Sequence, residues 1–463
     1  MEQKLKKKTL FGYALGDGGM GVIGGFISLY LLFFMTNKVG IPLVWASTIS
    51  LICGIWDAVN DIMVGFLVDK TKNKKGKARP WLLKWMIPLA VSTILIFNVP
   101  AGLTMIQKTL WCATAYFFYV LFYTCVNLPY GTLMLRMTND ADERAALSAS
   151  RMLGSNVFYY GAMAITPFVA TAVCDMAGDE TIGYGICSII FSAVAVFMIW
   201  MCYMACPERQ DIIESDQKEP LKLKESLKAL FSNSQWIIAS LSNILLWVEY
   251  SLFNVATMYW VVYTLRREET ASSIFSMIAM VTSFVVIPFI PAILKKIGRK
   301  RGMVIFRSIG FVGLAVTLLG GVSYTTAIIG YVLYFVSIQF HSTVIVSTIS
   351  DTVEYGELIT GVRNEGLAFT SNSFGAKVGP AFANWIGGIL LAVAGLDTTL
   401  ANGVAQSESA LIGISIVKFV IPAVLLIIQI ILLKWYFLDN EKMKEIGEQL
   451  QLRKNAAKKE EVS

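Results

Sequence analysis

The stretch GIWDAVNDIMVG, residues 54–65, places two carboxylates and one amide inside an otherwise apolar part of the chain. Asp57, Asn60 and Asp61 stand at positions i, i+3 and i+4, so one face of a helix would present all three. Two carboxylates one turn apart resist joint ionisation, and a shared proton, a bound cation or a neighbouring Arg or Lys would relieve their repulsion. Their carboxylate and amide oxygens are ligands that suit a hard cation such as Na⁺.

The elements around this stretch are those of a membrane protein. Of the 463 residues, 56% are hydrophobic and only 15% are charged, against about 25% charged in ordinary soluble domains. Twelve apolar runs, mostly 20 to 30 residues long, can each cross a hydrocarbon core of about 30 Å as a helix. We therefore expect an all-α membrane protein with twelve transmembrane helices, in which a charge facing lipid would cost roughly 3 kcal/mol or more.

A polar interruption, residues 206–235, separates six apolar runs from six. Each half has a basic, glycine-containing loop after its second run, GFLVDKTKNKKGKARP in one and AILKKIGRKRG in the other. This recurrence indicates a duplicated six-helix unit, as in the major facilitator fold, although basic loops also recur simply because cytoplasmic loops are basic. The predicted domains are an N-terminal six-helix bundle, a cytoplasmic linker, a C-terminal six-helix bundle and a cytoplasmic tail, over residues 1–206, 207–234, 235–437 and 438–463.

Lysine and arginine are concentrated on one side of the predicted membrane. That side has the segments MEQKLKKK, DKTKNKKGKARPW, LKLKESLK, KKIGRKRG and LRKNAAKKEEVS, whereas the other has little beyond Lys38, Lys108 and the RREE at 266–269, whose charges cancel. Cytoplasmic loops carry the excess of positive charge. We expect a multi-pass protein of the plasma membrane with both termini in the cytoplasm. The net charge of +7 follows from this topology and gives no reason to expect a nucleic-acid partner.

Helix depth suggests a partner for the polar face at 57–61. The second and fourth spans run in the same direction, and Thr124 in FYTCVNLPYG lies about as deep in its span as Asp57 does. We expect the Thr124 hydroxyl to reach the level of Asp57. Pro129, a few residues further on, removes a backbone donor and should kink the helix, which frees carbonyl oxygens nearby.

Further charged residues inside the predicted spans are Asp17, Arg151, Glu249, Lys377 and Lys418. We expect Arg151 and Lys377 in a cavity between the bundles, where they either pair with aspartates or hydrogen-bond a substrate. Glu249 lies near mid-membrane between Trp247 and Tyr250, and such aromatic rings can stack on the apolar face of a sugar.

Several sequence motifs occur in an order that resembles a known family. They are LGD at 15–17, WDAVND with KGKARPW, YTCVNLPYG with the downstream SASR, and DTVEYGELITGVRNEG followed by Lys377. Together they resemble the glycoside–pentoside–hexuronide:cation symporter family, typified by the melibiose carrier, from the first helix to the twelfth. The resemblance implies that the cation site consists of Asp57, Asn60, Asp61 and Thr124, with Asp57 and Asp61 as the Na⁺ ligands.

The resemblance also implies a substrate pocket, because Tyr123, Arg151 and Lys377 match positions that line the sugar pocket of the melibiose carrier. With the charged residues noted above, the predicted substrate-binding residues are Asp17, Tyr123, Asn127, Arg151, Glu249 and Lys377.

Two acids of that pocket are absent from this chain. Gly21 stands at the position of an aspartate in helix one, with Asp17 one turn earlier, and Asn127 replaces a second aspartate. A tryptophan that neighbours the second aspartate in the pocket of the melibiose carrier aligns with Gly131. Retaining the cations while losing acids makes the pocket less negative, which favours an anionic glycoside such as a glucuronide. Glu249 either adds negative charge, which would disfavour an anionic substrate, or provides a site for a proton.

The sequence therefore predicts a secondary active symporter that couples entry of a monovalent cation, Na⁺ or H⁺, to uptake of a glycoside, with a glucuronide and a pentoside as candidates. Two alternatives stay open: a cation-coupled carrier of an amphipathic anion such as a lysolipid, and a non-transporting membrane sensor or scaffold. We expect a monomer in the bilayer without a cofactor beyond the coupling cation. An enzyme is not expected, because the sequence offers neither a nucleophile–base pair nor a metal-ligand set.

The topology predicts which loop positions are reachable from each side. Cysteines introduced at Lys74 and Lys300 should react with a membrane-impermeant maleimide only from the cytoplasmic side. A cysteine at Lys108 is the control and should react from outside. Labelling of position 74 or 300 in intact cells would contradict the topology and the depth comparison that depends on it.

Overall fold

A computed structural model describes the chain over residues 7–69, 71, 76, 78–138, 141–177, 181–208, 228–361, 365–398 and 405–462. Twelve helices in these ranges are long and apolar enough to cross a membrane, and these ranges contain no strand. The predicted all-α architecture of twelve transmembrane helices is thus confirmed. The helices are α1 Lys7–Lys38, α2 Leu43–Asp69, α3 Arg79–Phe97, α4 Met105–Met137, α5 Ala141–Ala177, α6 Ile182–Ala205, α7 Ser234–Thr264, α8 Glu269–Ile297, α9 Arg299–Leu319, α10 Tyr324–Thr360, α11 Glu365–Val393, α12 Glu408–Leu432 and the polar α13 Asn440–Val462.

The helices form two compact units. Unit 1 comprises Met1–Gln217, Asn254–Met280 and Ala381–Lys418, and unit 2 comprises Lys218–Phe253, Val281–Pro380 and Phe419–Ser463. Helices α7, α8, α11 and α12 each contribute one part to unit 1 and the remainder to unit 2. The division into bundles over 1–206 and 235–437 stays a prediction, and residues 209–227 of the predicted linker lie outside the described residues.

Helix α1 is the centre of unit 1 and is buried along nearly its whole length, from Gly12 to Phe33. Its backbone touches that of α5. A Cβ atom at Gly25 would collide with the carbonyl oxygen of Tyr159, and one at Gly154 would collide with that of Ala14. Because lipid is as apolar as a leucine side chain, membrane helices associate through such close packing at small residues.

A carboxylate joins the start of α3 to the end of α6 in unit 1. Glu208 Oε1 accepts hydrogen bonds from the backbone N–H groups of Ala78 and Arg79, both at 2.8 Å. The Arg79 side chain donates to the carbonyl oxygen of Tyr203 at 2.6 Å. These contacts satisfy donors that a helix N-terminus leaves unpaired and place a negative charge at its positive end. Lys74 and most of the predicted basic loop lie outside the described residues.

The core of unit 2 includes α9, α10 and α13. A Cβ at Gly313 on α9 would lie 2.6 Å from the carbonyl oxygen of Gly330 on α10, so only small residues permit this approach. The predicted tail forms α13, whose Ile446 and Leu450 join a buried cluster with Phe340 of α10. The apolar side of α13 is thereby covered by unit 2.

Candidate functional site

Helix α2 has one lipid-type face and one protein-type face. The exposed face consists of large apolar residues at helical spacing: Ile52, Ile55, Val59, Met63 and Phe66. The opposite face buries Cys53, Asn60, Val64 and Val68, while Asp57 and Asp61 are half-buried beside it. The helical spacing of the apolar residues therefore directs Asp57, Asn60 and Asp61 away from the exposed face. This orientation is expected, because a charged side chain that faced lipid would be costly.

Asp57 meets α4 at the residue expected from helix depth. The Thr124 hydroxyl donates to Asp57 Oδ1 at 3.0 Å, and Thr124 is only 1% exposed. Asn60 is fully buried and its Nδ2 donates to the carbonyl oxygen of Val120 at 3.3 Å. This bond leaves Asn60 Oδ1 without a hydrogen-bond partner in the described structure. Carboxylate, amide and hydroxyl oxygens of α2 and α4 thus lie together within unit 1.

Tyr123 lies next to Thr124 in the sequence, between the polar residues around Asp57 and those around Asp17. It is half-buried and lies within electrostatic range of both Asp17 and Asp57. Asn127 is half-buried one turn further along the same face of α4. The consecutive residues Tyr123 and Thr124 of α4 therefore lie near carboxylates of both α1 and α2.

Asp17 and Arg151 form an ion pair between α1 and α5. Arg151 Nε donates to Asp17 Oδ2 at 2.9 Å, and the side chains of Arg151 and Asp17 are 32% and 13% exposed, respectively. The Arg151 guanidinium also lies over the ring of Tyr130, with Cζ 5.1 Å from the ring centroid. The pairing of Arg151 with an aspartate, one of the two alternatives left open by the sequence, is thus present in unit 1.

Gly21 and Gly131, which align with larger residues in the pocket of the melibiose carrier, have different surroundings. A Cβ at Gly21 would lie 2.9 Å from the carbonyl oxygen of Ser155 on α5, so the helix contact leaves no room for an aspartate side chain there. A Cβ at Gly131 would meet only Arg151 Nη1, at an ordinary 3.8 Å. The first glycine serves packing, whereas the second leaves space beside the guanidinium.

Lys377 belongs to unit 2, where it is half-buried on α11. Two glycines on either side of it in the sequence, Gly375 and Gly379, pack against Asn243 and Trp247 of α7. Two residues correspond to about 200° of helix rotation, so Lys377 lies on the face of α11 directed away from α7.

Glu249 also belongs to unit 2 and is fully buried. Arg307 Nη1 of α9 lies 3.2 Å and 3.3 Å from its two carboxylate oxygens, and Gln429 Nε2 of α12 donates to Oε2 at 2.7 Å. A ligand could contact Glu249 only after this ion pair opened. The pair is neutral as a whole, and a proton on Glu249 would leave the buried Arg307 without its counter-ion. The substrate role of Glu249 stays a prediction.

Sequence reasoning misses Arg307 and Glu269. Arg307 follows the basic loop KKIGRKRG, where an arginine usually extends to the membrane surface, yet its side chain is fully buried. Glu269 is not neutralised within the RREE segment alone, because Lys38 Nζ lies 2.8 Å from its Oε1 and the Tyr184 hydroxyl donates to its Oε2 at 2.5 Å. A cation inside a predicted apolar span is the signal that could have found Arg307, whereas the RREE segment offers no comparable signal for Glu269.

The sequence is similar to those of known membrane transport proteins. The sequence matches the family described as MFS/sugar transport protein over residues 12–440. It is 29% identical over 454 residues to the uncharacterized symporter YnaJ of Bacillus subtilis (strain 168), covering 97% of this chain and 96% of that protein. It is 26% identical over 460 residues to the glucuronide carrier protein homolog of Escherichia coli (strain K12), covering 98% and 97%.

One solved structure supports the fold. The crystal structure of the nucleoside transporter NupG superposes with a TM-score of 0.64 and 16% identity, covering 93% of this chain and 100% of that chain. At this identity the likeness concerns the arrangement of helices and not the ligand.

The Glu249–Arg307 pair predicts a stability effect. Glu249→Gln should lower the free energy of unfolding by about 3 kcal/mol or more, because it leaves a buried guanidinium uncompensated. Thermal unfolding of the purified protein in detergent measures this loss. Glu268→Gln, at an exposed position, is the matched control and should change little. The double variant Glu249→Gln/Arg307→Gln should recover part of the loss, and a double variant less stable than Glu249→Gln would contradict the pairing.

Proposed function

Since the chain belongs to the MFS/sugar transport protein family, we propose that it is a symporter that couples entry of Na⁺ or H⁺ to uptake of a glycoside. This membership confirms the major facilitator fold and the resemblance to sugar symporters, and the protein is a multi-pass membrane transporter and not an enzyme. The basic loops support a plasma-membrane orientation with both termini in the cytoplasm.

The proposed cation site consists of Asp57, Asn60, Asp61 and Thr124. The observation that carries this proposal is the contact of Thr124 with Asp57, at 3.0 Å between α4 and α2. The buried Asn60 Oδ1, which accepts no hydrogen bond among the described residues, supports it, because a buried carbonyl oxygen is stable when it meets a donor or a cation. A cation bound by these oxygens would also reduce the repulsion between the two carboxylates.

Coupling follows from the position of α4 between the cation ligands and the substrate ligands. Thr124 contacts the cation carboxylate, and its neighbour Tyr123 lies near both Asp17 and Asp57. A cation that orders this turn of α4 also orders Tyr123. Each ligand then binds more tightly when the other has already ordered the shared helix, and by linkage the effect is reciprocal.

Arg151 supports an anionic glycoside as the substrate. Asp17 engages its Nε, while Nη1 faces the space left by Gly131. A carboxylate could accept two parallel hydrogen bonds from the edge that carries Nη1 and Nη2, a geometry in which arginine is favoured over lysine. A related protein is named a glucuronide carrier protein homolog, and a glucuronide has such a carboxylate. We therefore infer that uronides are preferred substrates.

The cation site predicts a specific loss of coupling. Asp61→Cys should abolish accumulation of substrate against its gradient while retaining substrate exchange, because it removes a cation ligand and leaves the residues near Arg151 intact. Counterflow and gradient-driven uptake in proteoliposomes separate the two activities. Asp175→Cys, near the end of α5, is the control and should retain both. Concentrative uptake by Asp61→Cys would show that this carboxylate does not couple.

Substrate charge gives a second test. Phenyl glucuronide should compete with a labelled substrate about tenfold better than phenyl glucoside, because a hydrogen-bonded charge pair contributes roughly 1.5–3 kcal/mol. Arg151→Met should reduce this difference. If Asp17 already neutralises Arg151 for the purpose of binding, the glucoside competes equally well or better. That result would exclude the anionic substrate and leave the symporter proposal intact.

A further inference from the structure

We propose that Tyr130 is a positioning residue for transport, whose ring holds the guanidinium of Arg151 in the orientation that meets the substrate. The inference rests on the proposed role of Arg151 in substrate binding. It concerns the contact between Tyr130 on α4 and Arg151 on α5, within unit 1.

The ring of Tyr130 is itself fixed by α1. It is fully buried, and its hydroxyl donates to the carbonyl oxygen of Tyr13 at 2.6 Å. The Tyr13 hydroxyl in turn donates to the carbonyl oxygen of Tyr130 at 3.4 Å. The two rings are stacked, with centroids 4.6 Å apart and planes 18° from parallel. Two reciprocal hydrogen bonds and one stacked pair therefore determine where the ring lies.

Gly16 makes this placement possible. A Cβ atom at Gly16 would overlap the ring of Tyr130, so the ring packs directly against the backbone of α1 between Tyr13 and Asp17. The ring has no room to turn aside because Gly16 and Tyr13 lie against it. Helix α1 thus supports both contacts of Arg151: the ring of Tyr130 and the carboxylate of Asp17.

These two contacts involve different parts of the Arg151 guanidinium. The ring attracts the guanidinium through its face, at 5.1 Å from centroid to Cζ, and Asp17 binds its Nε edge at 2.9 Å. An ion pair alone would let the guanidinium rotate about the hydrogen bond. The ring face adds a second attachment point, which restricts that rotation and leaves the Nη edge available for a ligand. A side chain held in this way loses less freedom when substrate binds.

A graded change of the ring tests the proposal without removing its volume. Tyr130 is replaced by Phe and by mono-, di- and trifluorinated phenylalanines, which weaken the negative face of the ring progressively while preserving its shape. In proteoliposomes, the concentration of phenyl glucuronide for half-maximal competition should rise about three- to tenfold across the series. Competition by phenyl glucoside should stay within about twofold, because the cation–π contact acts through Arg151.

The same series at Tyr13 is the matched control. Tyr13 is equally buried and stacked on Tyr130, so a purely structural effect of fluorination should appear at both positions. Equal effects at 13 and 130, or no trend at 130 in a protein that prefers the glucuronide, would overturn the positioning role.

A protein with no preference for the glucuronide would instead refute the anionic substrate, and a double-variant cycle then decides the positioning role. Arg151→Met should lower the unfolding temperature less when position 130 carries trifluorophenylalanine than in the Tyr130→Phe background. Equal losses in the two backgrounds would show that the ring does not hold Arg151.

Discussion

A charge inside a membrane protein must face protein and must be compensated, and this constraint organises the described helices. Asp17 meets Arg151 between α1 and α5, and Glu249 meets Arg307 between α7 and α9. Lys418, also fully buried, donates to a threonine hydroxyl and lies over a tryptophan ring. Each arrangement makes a particular pair of helices adjacent, because the alternative is an ion that faces hydrocarbon. The polar residues thus specify neighbours that hydrophobic packing alone would leave interchangeable.

Helix α4 carries most of the chemistry on a few consecutive turns. Thr124 contacts α2, Tyr123 lies near carboxylates of two helices, and Tyr130 packs against α1 and against Arg151. Pro129 lies among these residues and interrupts the backbone hydrogen bonds of the helix. A helix with a weakened turn between its two functional ends can reorient one end relative to the other at small cost. Pro129 therefore separates the turn that carries Thr124 and Tyr123 from the turn that carries Tyr130.

The sequence was most informative where regular helix geometry decides the outcome, either within one helix or between two helices compared by depth. The spacing of Asp57, Asn60 and Asp61 predicts their common face, and depth counting predicts the approach of Thr124 to Asp57, as the structure has it. Length and hydropathy likewise predict twelve helices. These features depend on helix geometry, which is the same in every helix.

Features that depend on which helices pack together, and how closely, were not predictable in this way. The ring contact of Tyr130 with Arg151 depends on how closely α1 approaches α4 at Gly16. The burial of Arg307 depends on an acid on α7 and an amide on α12. The reason for Gly21 is the backbone of α5. Tertiary packing decides all three, and no periodicity within one segment reports it.

The burial of α1 at the centre of unit 1 has a consequence for biosynthesis. Among the described helices of unit 1, α1 is synthesised before the helices that later surround it. Asp17 and its partner Arg151 are separated by 134 positions, so at ordinary rates of translation the aspartate precedes its cation by on the order of ten seconds. During that interval α1 must stay in the membrane or at the insertion machinery without the neighbour that compensates its charge. Unit 1 therefore cannot mature one helix at a time, and its first helix reaches its final surroundings only after the fifth has been inserted.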